Sequence, residues 1–267
     1  MKIAVLGKGY LGKEFERQGY EVLGRDEFEL PLFDNDTLTT KWDKLTKYDV
    51  LINCIAKSNT RWCEDHKNFK EARWINGEFV DILSRFCKRG NIKLVHVSTG
   101  CLYDCSNVPC RENDFKVTHC NYTVSKWIGE NGCNLDRDLV IRPRLFFSGI
   151  KDKNNLLCKL PAFERYVNVL NSYTHVAEIP KAVQVLLDNK QVGIFNVANR
   201  GYMTVYEIAM LVGLKGERMT EEELCHAEEL HLVNNIMDIS KLEQFYKPPY
   251  ISKAILECWE QLNVGEV

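Results

Sequence analysis

The stretch that decides the fold is K-I-A-V-L-G-K-G-Y-L-G, residues 2–12, because it joins a short apolar strand directly to a glycine-rich turn. The apolar residues 2–6 predict a buried strand, and the pattern that follows the glycines predicts a helix. A G-x-G-x-x-G motif in this strand, loop and helix context is typical of dinucleotide binding. Its three glycines permit, in order, the tight turn, the approach of a pyrophosphate and close helix packing. A purely structural turn is the alternative.

A second motif lies at the end of the apolar run L-V-H-V, residues 94–97, which predicts a buried parallel strand. Thr99 follows this strand, and Tyr122 and Lys126 come 23 and 27 residues after Thr99. On a helix, the spacing of four residues puts the phenol and the ammonium on one face. A cation beside a phenol favours the phenolate, so Tyr122 is a candidate proton donor, and Thr99 could orient the same substrate oxygen. The alternative is a chance pair on an amphipathic helix.

The cofactor candidates follow from the glycine loop and the neighbouring strand ends. A helix amino terminus offers free N–H groups to phosphates. Arg25 stands at the end of the second predicted strand and Lys8 in the loop, and cations there favour the 2'-phosphate of NADPH. Asp26 follows at once, so NADH stays an alternative, as does plain surface charge for both cations. The candidate cofactor-binding residues are Gly7, Lys8, Gly9, Tyr10, Leu11, Gly12, Arg25, Asn53, Ala56, Tyr122 and Lys126.

The remaining pattern alternates strands with helices, which is typical of a parallel sheet. Asp34-Asn35-Asp36 predicts the cap of a short helix. Predicted strands cover residues 20–23, 50–55, 139–144 and 193–197. Predicted helices cover residues 179–187, 205–212 and 251–262, and Thr204 begins the second of these. A further predicted helix ends near Arg89, and another starts at residues 221–223. Residues 148–175 are polar and irregular, with cations that could meet a diphosphate.

The predicted fold class is therefore α/β, a Rossmann-type doubly wound parallel sheet with a smaller C-terminal substrate-binding lobe. The predicted cofactor domain covers residues 1–147, and residues 176–200 return to it. The predicted nucleotide-sugar lobe covers residues 148–175 and 201–267.

Composition excludes several classes of function. The 267 residues are 45% apolar and carry a formal net charge of -2, and no basic stripe is present, so we expect no nucleic-acid partner. The chain contains no run of roughly 18 apolar residues. Met1 leads straight into the first predicted strand. The sequence therefore predicts no signal peptide, no membrane partner and a cytoplasmic location.

The eleven cysteines are scattered, and several lie in apolar runs, so we interpret most of them as reduced core residues. One group has residue types that could bind zinc. Its members are Cys101, Cys105, Cys110, His119 and Cys120. It contains no C-x-x-C spacing, which structural zinc sites usually show, so we expect no metal.

Together, the glycine motif, the Ser-Thr strand end and the Y-x-x-x-K pair resemble the extended short-chain dehydrogenase/reductase family. Four segments are similar to dTDP-4-dehydrorhamnose reductases, in which the corresponding segments hold cofactor and nucleotide sugar. They are S-T-G-C-L-Y-D from residue 98, Y-T-V-S-K-W-I-G-E from 122, T-H-V-A-E-I-P-K-A from 174 and G-I-F-N-V-A-N from 193. The resemblance implies that Arg144 and His175 bind substrate.

Two further details, W-C-E-D-H-K at residues 62–67 and Thr99-Gly100-Cys101, resemble plant enzymes that make UDP-rhamnose by 3,5-epimerisation and 4-reduction, a group with giant-virus relatives. GDP-fucose synthase, a similar epimerase-reductase, also has a cysteine two places after its catalytic hydroxyl residue. The first loop departs from the plant pattern, in which an extra residue is common. The resemblance implies Lys159 as the partner of Cys101 in proton exchange; one more small buried thiol is the alternative for Cys101.

The implied function is NADPH-dependent conversion of UDP-4-dehydro-6-deoxy-D-glucose to UDP-L-rhamnose. The resemblance also implies that the protein acts after a nucleotide-glucose 4,6-dehydratase and that it forms a homodimer. The implied catalytic residues are Thr99, Tyr122, Lys126, Cys101 and Lys159. A monofunctional dTDP-4-dehydrorhamnose reductase and a non-catalytic NADP-binding regulatory subunit are the alternatives.

Overall fold

The computed structural model describes residues 1–28, 30, 40–103, 105–114, 116, 120–228 and 234–264. The chain forms two compact units. The first consists of Met1–Thr99, Thr118–Arg142 and Lys190–Phe195, and the second of Gly100–Val117, Pro143–Asn189 and Asn196–Val267. The predicted helix cap at residues 34–36 and the zinc candidate His119 lie outside the described residues.

The first unit is built on a six-stranded parallel sheet, in the order β10-β6-β4-β3-β1-β2. With strands numbered along the chain, these are β1 (Ile3–Leu6), β2 (Glu21–Leu23), β3 (Val50–Asn53), β4 (Lys93–Val97), β6 (Leu139–Pro143) and β10 (Gly193–Val197). The chain starts at β1, adds β2 on one side, and then adds β3 and the later strands on the other. This reversal confirms the predicted Rossmann-type doubly wound sheet.

Helices of the first unit connect these strands. They are α1 (Tyr10–Arg17), α2 (Thr60–Glu64), α3 (His66–Arg73), α4 (Phe79–Arg89) and α5 (Asn121–Asn131), and a π-helical turn, Trp74–Glu78, joins α3 to α4. All residues of β3 and β6 are buried, including the polar Asn53 and Arg142, because both faces of the sheet are covered. Trp42 packs edge-on against Phe79 and Phe86 and thereby fills the core on one side.

The second unit contains three two-stranded sheets within the described part of the chain. They pair β5 (Cys105–Cys110) with β12 (Asn235–Met237), β7 (Phe146–Phe147) with β9 (Thr174–His175), and β8 (Arg165–Val167) with β11 (Glu217–Met219). Its helices are α6 (Leu156–Lys159), α7 (Glu178–Asp188), α8 (Val205–Leu211), α9 (Glu221–Glu228), α10 (Ser240–Glu243) and α11 (Ile251–Asn263).

Two local predictions for this unit had different outcomes. Thr204 begins α8 through a reciprocal cap with Glu207, in which each side chain accepts the other residue's backbone N–H, at 3.0 and 2.8 Å. This cap confirms the predicted helix start. The prediction that residues 148–175 are irregular was wrong, because the segment contains α6, β8 and β9. These elements are only two to four residues long, too short to show a periodic sequence pattern.

The compact units have other boundaries than the predicted domains. The second unit contains residues 100–117, 143–147, 176–189 and 196–200, which the sequence analysis placed in the cofactor domain. The assignment of one domain to cofactor and one to sugar stays a prediction.

Among the described residues, nine cysteines form no disulfide, as expected for most of them, but Cys110 is disulfide-bonded. Across the described ranges, no group of three or more His, Cys, Asp or Glu side chains could hold a metal ion. No helix in those ranges combines the length and the apolar character needed to cross a membrane.

Candidate active site

The backbone of the glycine loop at the carboxyl end of β1 can be formed only with glycine at positions 7 and 12. Gly7 has a φ of +105°, a left-handed conformation that glycine adopts without a steric penalty. A Cβ at Gly12 would lie 1.8 Å from the Gly7 carbonyl oxygen, so α1 can approach the loop only with glycine there. A Cβ at Gly9 would meet nothing within 4 Å. The loop therefore leaves open space at the amino end of α1, where Tyr10 and the buried Leu11 form the first helical turn.

A cavity of about 450 Å³ lies beside this loop. Its lining includes most of the predicted cofactor residues of the loops, namely Gly7, Lys8, Gly9, Arg25 and Ala56. The cavity size and the open backbone at Gly9 fit part of a dinucleotide.

Glu27 is a residue that sequence reasoning missed at this cavity. Its carboxylate accepts the Gly24 N–H at 2.8 Å and pairs with Lys8 Nζ at 3.2 Å. The Gly24 N–H, and after it the Lys8 ammonium, lower the pKa of the Glu27 carboxyl. A negative charge therefore lies beside the cations that were predicted to bind a 2'-phosphate. The sequence feature that could have identified Glu27 is its position in the turn after β2, directly after Asp26.

Asn53 ends β3 and is fully buried. Its amide nitrogen lies 3.2 Å from His96 Nδ1, and its Oδ1 accepts the Ile55 N–H at 3.1 Å. Burial, and after it the charge of Lys126, hold the pKa of His96 well below its usual value, so the imidazole is neutral. The side chain of Asn53 thus fixes the turn that contains Ile55 and Ala56; its part in cofactor binding stays a prediction.

Helix α5 carries the predicted Tyr–Lys pair. Lys126 is 1% exposed, and its ammonium donates to the Val97 carbonyl oxygen, the last of β4, at 2.9 Å. Tyr122, one turn earlier, is half-buried, and Thr99, two residues after β4, is buried. Lys126 therefore lies at the carboxyl end of β4, two residues before Thr99, and Tyr122 lies on the same face of α5 as Lys126.

The packing that positions α5 was not foreseen. The fully buried Asn76 side chain donates to Ser125 Oγ at 2.9 Å, and it also bonds the N–H and carbonyl of Lys57. A Cβ at Gly129 would lie 2.1 Å from the Asn76 carbonyl oxygen, and one at Gly77 would lie 2.8 Å from Ile128. Glycines at both contact points allow α5 to approach the turn at Trp74–Glu78 at backbone distance.

In the second unit, Cys101 contacts Arg144. Cys101 forms no disulfide and is partly exposed in the 3-10 turn Gly100–Leu102, and Arg144 Nη1 lies 2.8 Å from its sulfur. Arg144 is only 5% exposed, and its Nη2 donates to Asn171 Oδ1 at 3.0 Å. A buried guanidinium thus points at the cysteine that the sequence singled out.

Two other predicted residues lie elsewhere in this unit. Lys159 is exposed at the end of α6. The ring of His175 stacks on Phe147 with centroids 5.3 Å apart, and His175 Nε2 lies 3.4 Å from Cys258 Sγ. The roles of Lys159 in catalysis and of Arg144 and His175 in substrate binding stay predictions.

A doubly wound sheet, a glycine loop after β1 and a Tyr–Lys pair on the helix beside β4 define an extended short-chain dehydrogenase/reductase. Within this class, the chain belongs to the family described as RmlD substrate binding domain, which it matches over residues 1–231.

Two curated relatives are similar along nearly the whole chain. The trifunctional UDP-glucose 4,6-dehydratase/UDP-4-keto-6-deoxy-D-glucose 3,5-epimerase/UDP-4-keto-L-rhamnose-reductase of Arabidopsis thaliana is 26% identical, covering 96% of this chain and 41% of the relative. The chain therefore spans about two fifths of the plant protein's length. The uncharacterized protein L780 of Acanthamoeba polyphaga mimivirus is 24% identical over 92% of this chain and 93% of its own.

Solved structures have the same fold. The L780 UDP-rhamnose synthase of the mimivirus superposes with a TM-score of 0.83 at 21% identity, covering 97% of this chain and 99% of the other. The dTDP-4-dehydrorhamnose reductase of Bacillus anthracis, in complex with NADP, has a TM-score of 0.81 at 18% identity, covering 98% and 100%.

Proposed function

We propose that the chain is an NADPH-dependent nucleotide-sugar epimerase and reductase that converts UDP-4-dehydro-6-deoxy-D-glucose to UDP-L-rhamnose. The observation that carries the proposal is the buried Lys126 on the helical face of Tyr122, bonded to the end of β4. The thiol two residues after Thr99, in contact with Arg144, supports the epimerase part. The names of the plant and mimivirus relatives support the substrate.

In the reduction, the protein's residues handle the proton. When bound, NADPH supplies the hydride for C4 of the sugar. Thr99 donates a hydrogen bond to the C4 oxygen, and Tyr122 transfers its phenolic proton to that oxygen. Lys126 stabilises the phenolate that remains on Tyr122 and holds the nicotinamide ribose.

In the epimerisation, the C4 ketone acidifies the hydrogens on C3 and C5. Cys101 removes a proton from one face of a carbon, and Lys159 returns a proton to the opposite face. The resulting enolate oxygen is held by the hydrogen bonds of Tyr122 and Thr99. After each inversion Cys101 gives its proton to water and Lys159 takes one up, so that the same pair can act on both centres before C4 is reduced.

The substrate has to come from a 4,6-dehydration of a nucleotide glucose, because that reaction creates the C4 ketone and the 6-deoxy group together. The name of the plant relative includes such a dehydratase. We therefore place this chain after a nucleotide-glucose 4,6-dehydratase, and a homodimer stays our expectation for its assembly.

The decisive experiment is incubation with UDP-4-dehydro-6-deoxyglucose and NADPH in deuterated water, followed by NMR of the sugar. We expect deuterium at C3 and C5 and a rhamnose-configured product. Reduction without deuterium at these carbons would contradict the epimerase part. NADPH binding without turnover would favour a non-catalytic NADP-binding subunit.

Two variants separate the half-reactions. Tyr122→Phe should stop NADPH oxidation while ring deuteration continues at a reduced rate, because Thr99 still holds the enolate oxygen, whereas Cys101→Ala should stop ring deuteration. Cys158→Ala is the matched control, because Cys158 is an exposed thiol of the same unit. The opposite pattern would refute the assignment of these residues.

A monofunctional dTDP-4-dehydrorhamnose reductase is the second candidate. It is favoured by the fold similarity to reductases of that name, such as the Clostridium acetobutylicum protein with a TM-score of 0.82. In that case, the sugar would be reduced only after a separate 3,5-epimerase is added, and a dTDP substrate would be used at least as well as a UDP substrate.

A further inference from the structure

We propose that the second unit contains a further binding site, whose ligand is a mononucleotide. The site is formed by Arg200, Tyr202, Glu243 and Tyr250, which line a cavity of about 390 Å³. This volume lies within the range of small-molecule sites. Among the described residues that line the cavity, none is assigned above to catalysis, cofactor or substrate. The inference therefore does not rest on the proposed epimerase and reductase function.

The cation of this site is Arg200, which is held in place by its side chain and its backbone. Its Nε donates to the Pro248 carbonyl oxygen at 2.7 Å, and its Cζ lies 4.1 Å from the centroid of the Tyr250 ring. The Arg200 N–H donates to the Pro249 carbonyl oxygen at 3.2 Å, and the Arg200 carbonyl accepts the Ile251 N–H at 2.9 Å. A guanidinium that is already ordered loses less entropy when a ligand binds.

The two Nη groups of Arg200 are available to a ligand. Within the described ranges, no group accepts a hydrogen bond from them and no carboxylate pairs with Arg200. Asp238 also lines the cavity, but its carboxylate pairs with Arg111 at 3.1 Å and accepts the Ser240 N–H at 2.8 Å. Because the planar guanidinium fork matches two oxygens of a phosphate, Arg200 binds the phosphate of the ligand.

Glu243 supplies a hydrogen-bond acceptor at the same cavity. It is partly exposed, and no cation of the described chain pairs with it. Carboxylates accept hydrogen bonds from ribose hydroxyls in dinucleotide sites. One cation and one carboxylate around a common cavity suit a ligand with an anionic end and a hydroxyl-bearing ring, and they suit a simple anion less well.

Two exposed tyrosines supply the surface for a base. Tyr202 and Tyr250 are 50% and 58% exposed, and both line the cavity. Bases stack on exposed aromatic rings in nucleic-acid sites, and this stacking tolerates different bases. The phosphate, the ribose hydroxyls and the base of a mononucleotide thus each have a partner in this cavity.

The test is equilibrium dialysis of the whole chain, in excess NADPH, against radiolabelled uridine 5'-monophosphate (UMP). Wild type should bind one UMP more per chain than Arg200→Gln, because loss of the charged fork should weaken this site at least tenfold. UMP bound at the catalytic site is common to both proteins and cancels in the comparison. Equal UMP binding by wild type and a folded Arg200→Gln protein would overturn the inference.

Two further variants make the comparison specific. Arg218→Gln is the matched control, because Arg218 lies over the Tyr206 ring at 4.6 Å in the same unit but does not line the cavity. It should bind UMP as wild type does. Tyr202→Ala leaves the contacts of Arg200 in place and should weaken the site about fivefold or more through lost stacking. A loss of UMP binding in Arg218→Gln as large as in Arg200→Gln would overturn the inference.

A second measurement needs no variant. Irradiation of the protein with 5-iodo-UMP breaks the carbon–iodine bond, joins C5 of the uracil to a stacked aromatic ring and releases hydrogen iodide. Peptide mass spectrometry should find this adduct at Tyr202 or Tyr250, and excess UMP should suppress it. Absence of the adduct from both tyrosines would overturn the inference even if Arg200→Gln did not fold.

Discussion

Among single residues, Glu27 places a carboxylate against Lys8, one of the two cations expected to bind a cofactor phosphate. Its partners, Lys8 and the Gly24 N–H, both belong to the lining of the cavity beside the glycine loop. A bound 2'-phosphate would compete with this carboxylate for the same donors, so we expect Glu27 to weaken NADPH binding, whereas the 2'-hydroxyl of NADH can donate to a carboxylate.

Glu27→Gln should therefore tighten NADPH binding by about three- to tenfold at low salt, the range expected for an exposed pair of like charges, and should not tighten NADH binding. Fluorescence titration of both nucleotides gives the two affinities. Glu16→Gln is the matched control, since Glu16 is an exposed carboxylate of α1 that does not line the cavity. If the ratio of the two affinities does not move, Glu27 lies away from the bound 2'-phosphate.

His96 makes the stability of the protein sensitive to acid. Its folded-state pKa lies well below 6.5, the value expected in the unfolded chain, because the ring is buried beside Lys126. Below pH 6.5 the unfolded chain therefore binds a proton that the folded protein excludes. The free energy of unfolding should fall with decreasing pH in this window, by up to about 1.4 kcal/mol per pH unit from this residue.

Urea unfolding of the wild type and of His96→Gln at several pH values measures this slope. The variant should be less stable at neutral pH but should lose less stability between pH 6.5 and the folded-state value. His66→Gln, which changes an exposed histidine, should keep the wild-type slope. Equal slopes for His96→Gln and wild type would show that His96 is not the group responsible.

Among the elements, α5 depends on its contact with the turn at Trp74–Glu78. Alanine at Gly129 would gain helix propensity, worth up to about 1 kcal/mol. Its Cβ would, however, lie 2.1 Å from a backbone oxygen of Asn76, which cannot move aside as a side chain can. The steric cost should win, because overpacking of this kind costs about 1 to 3 kcal/mol.

Gly129→Ala should therefore lower the free energy of unfolding and, by displacing α5, reduce the turnover that depends on Tyr122 and Lys126. Denaturant unfolding and NADPH oxidation measure the two effects. Gly9→Ala is the control for stability, since its Cβ would meet nothing within 4 Å. A Gly129→Ala protein as stable and active as wild type would mean that the helix contact is looser than the structure shows.

For the whole molecule, a ligand that binds only the folded chain stabilises it by mass action. NADPH at 100 times its dissociation constant should add about 2.7 kcal/mol to the free energy of unfolding. Gly9→Ala should lose much of this gain while retaining its stability without cofactor, because a methyl group at Gly9 blocks the open space at the amino end of α1. Thermal unfolding with and without NADPH gives both quantities, and an identical gain in the variant would place the pyrophosphate elsewhere.

Much of the fold could be predicted because it depends on local patterns. The apolar runs at β1, β3, β4 and β6 and the glycine turn before α1 are visible in consecutive residues. Elements of two to four residues, such as β7, β9 and α6, could not be predicted, since they are shorter than the repeat that would reveal them.

The sequence by itself determined the doubly wound class, the glycine loop and the Tyr122–Lys126 face, since strand period, turn chemistry and the spacing of four residues act between near neighbours. Only the tertiary structure decided which distant groups meet. Cys101 and Arg144 are 43 residues apart, and Asn76 and Ser125 are 49 apart. Such contacts depend on how whole elements pack, and no local periodicity encodes which side chain faces another across that distance.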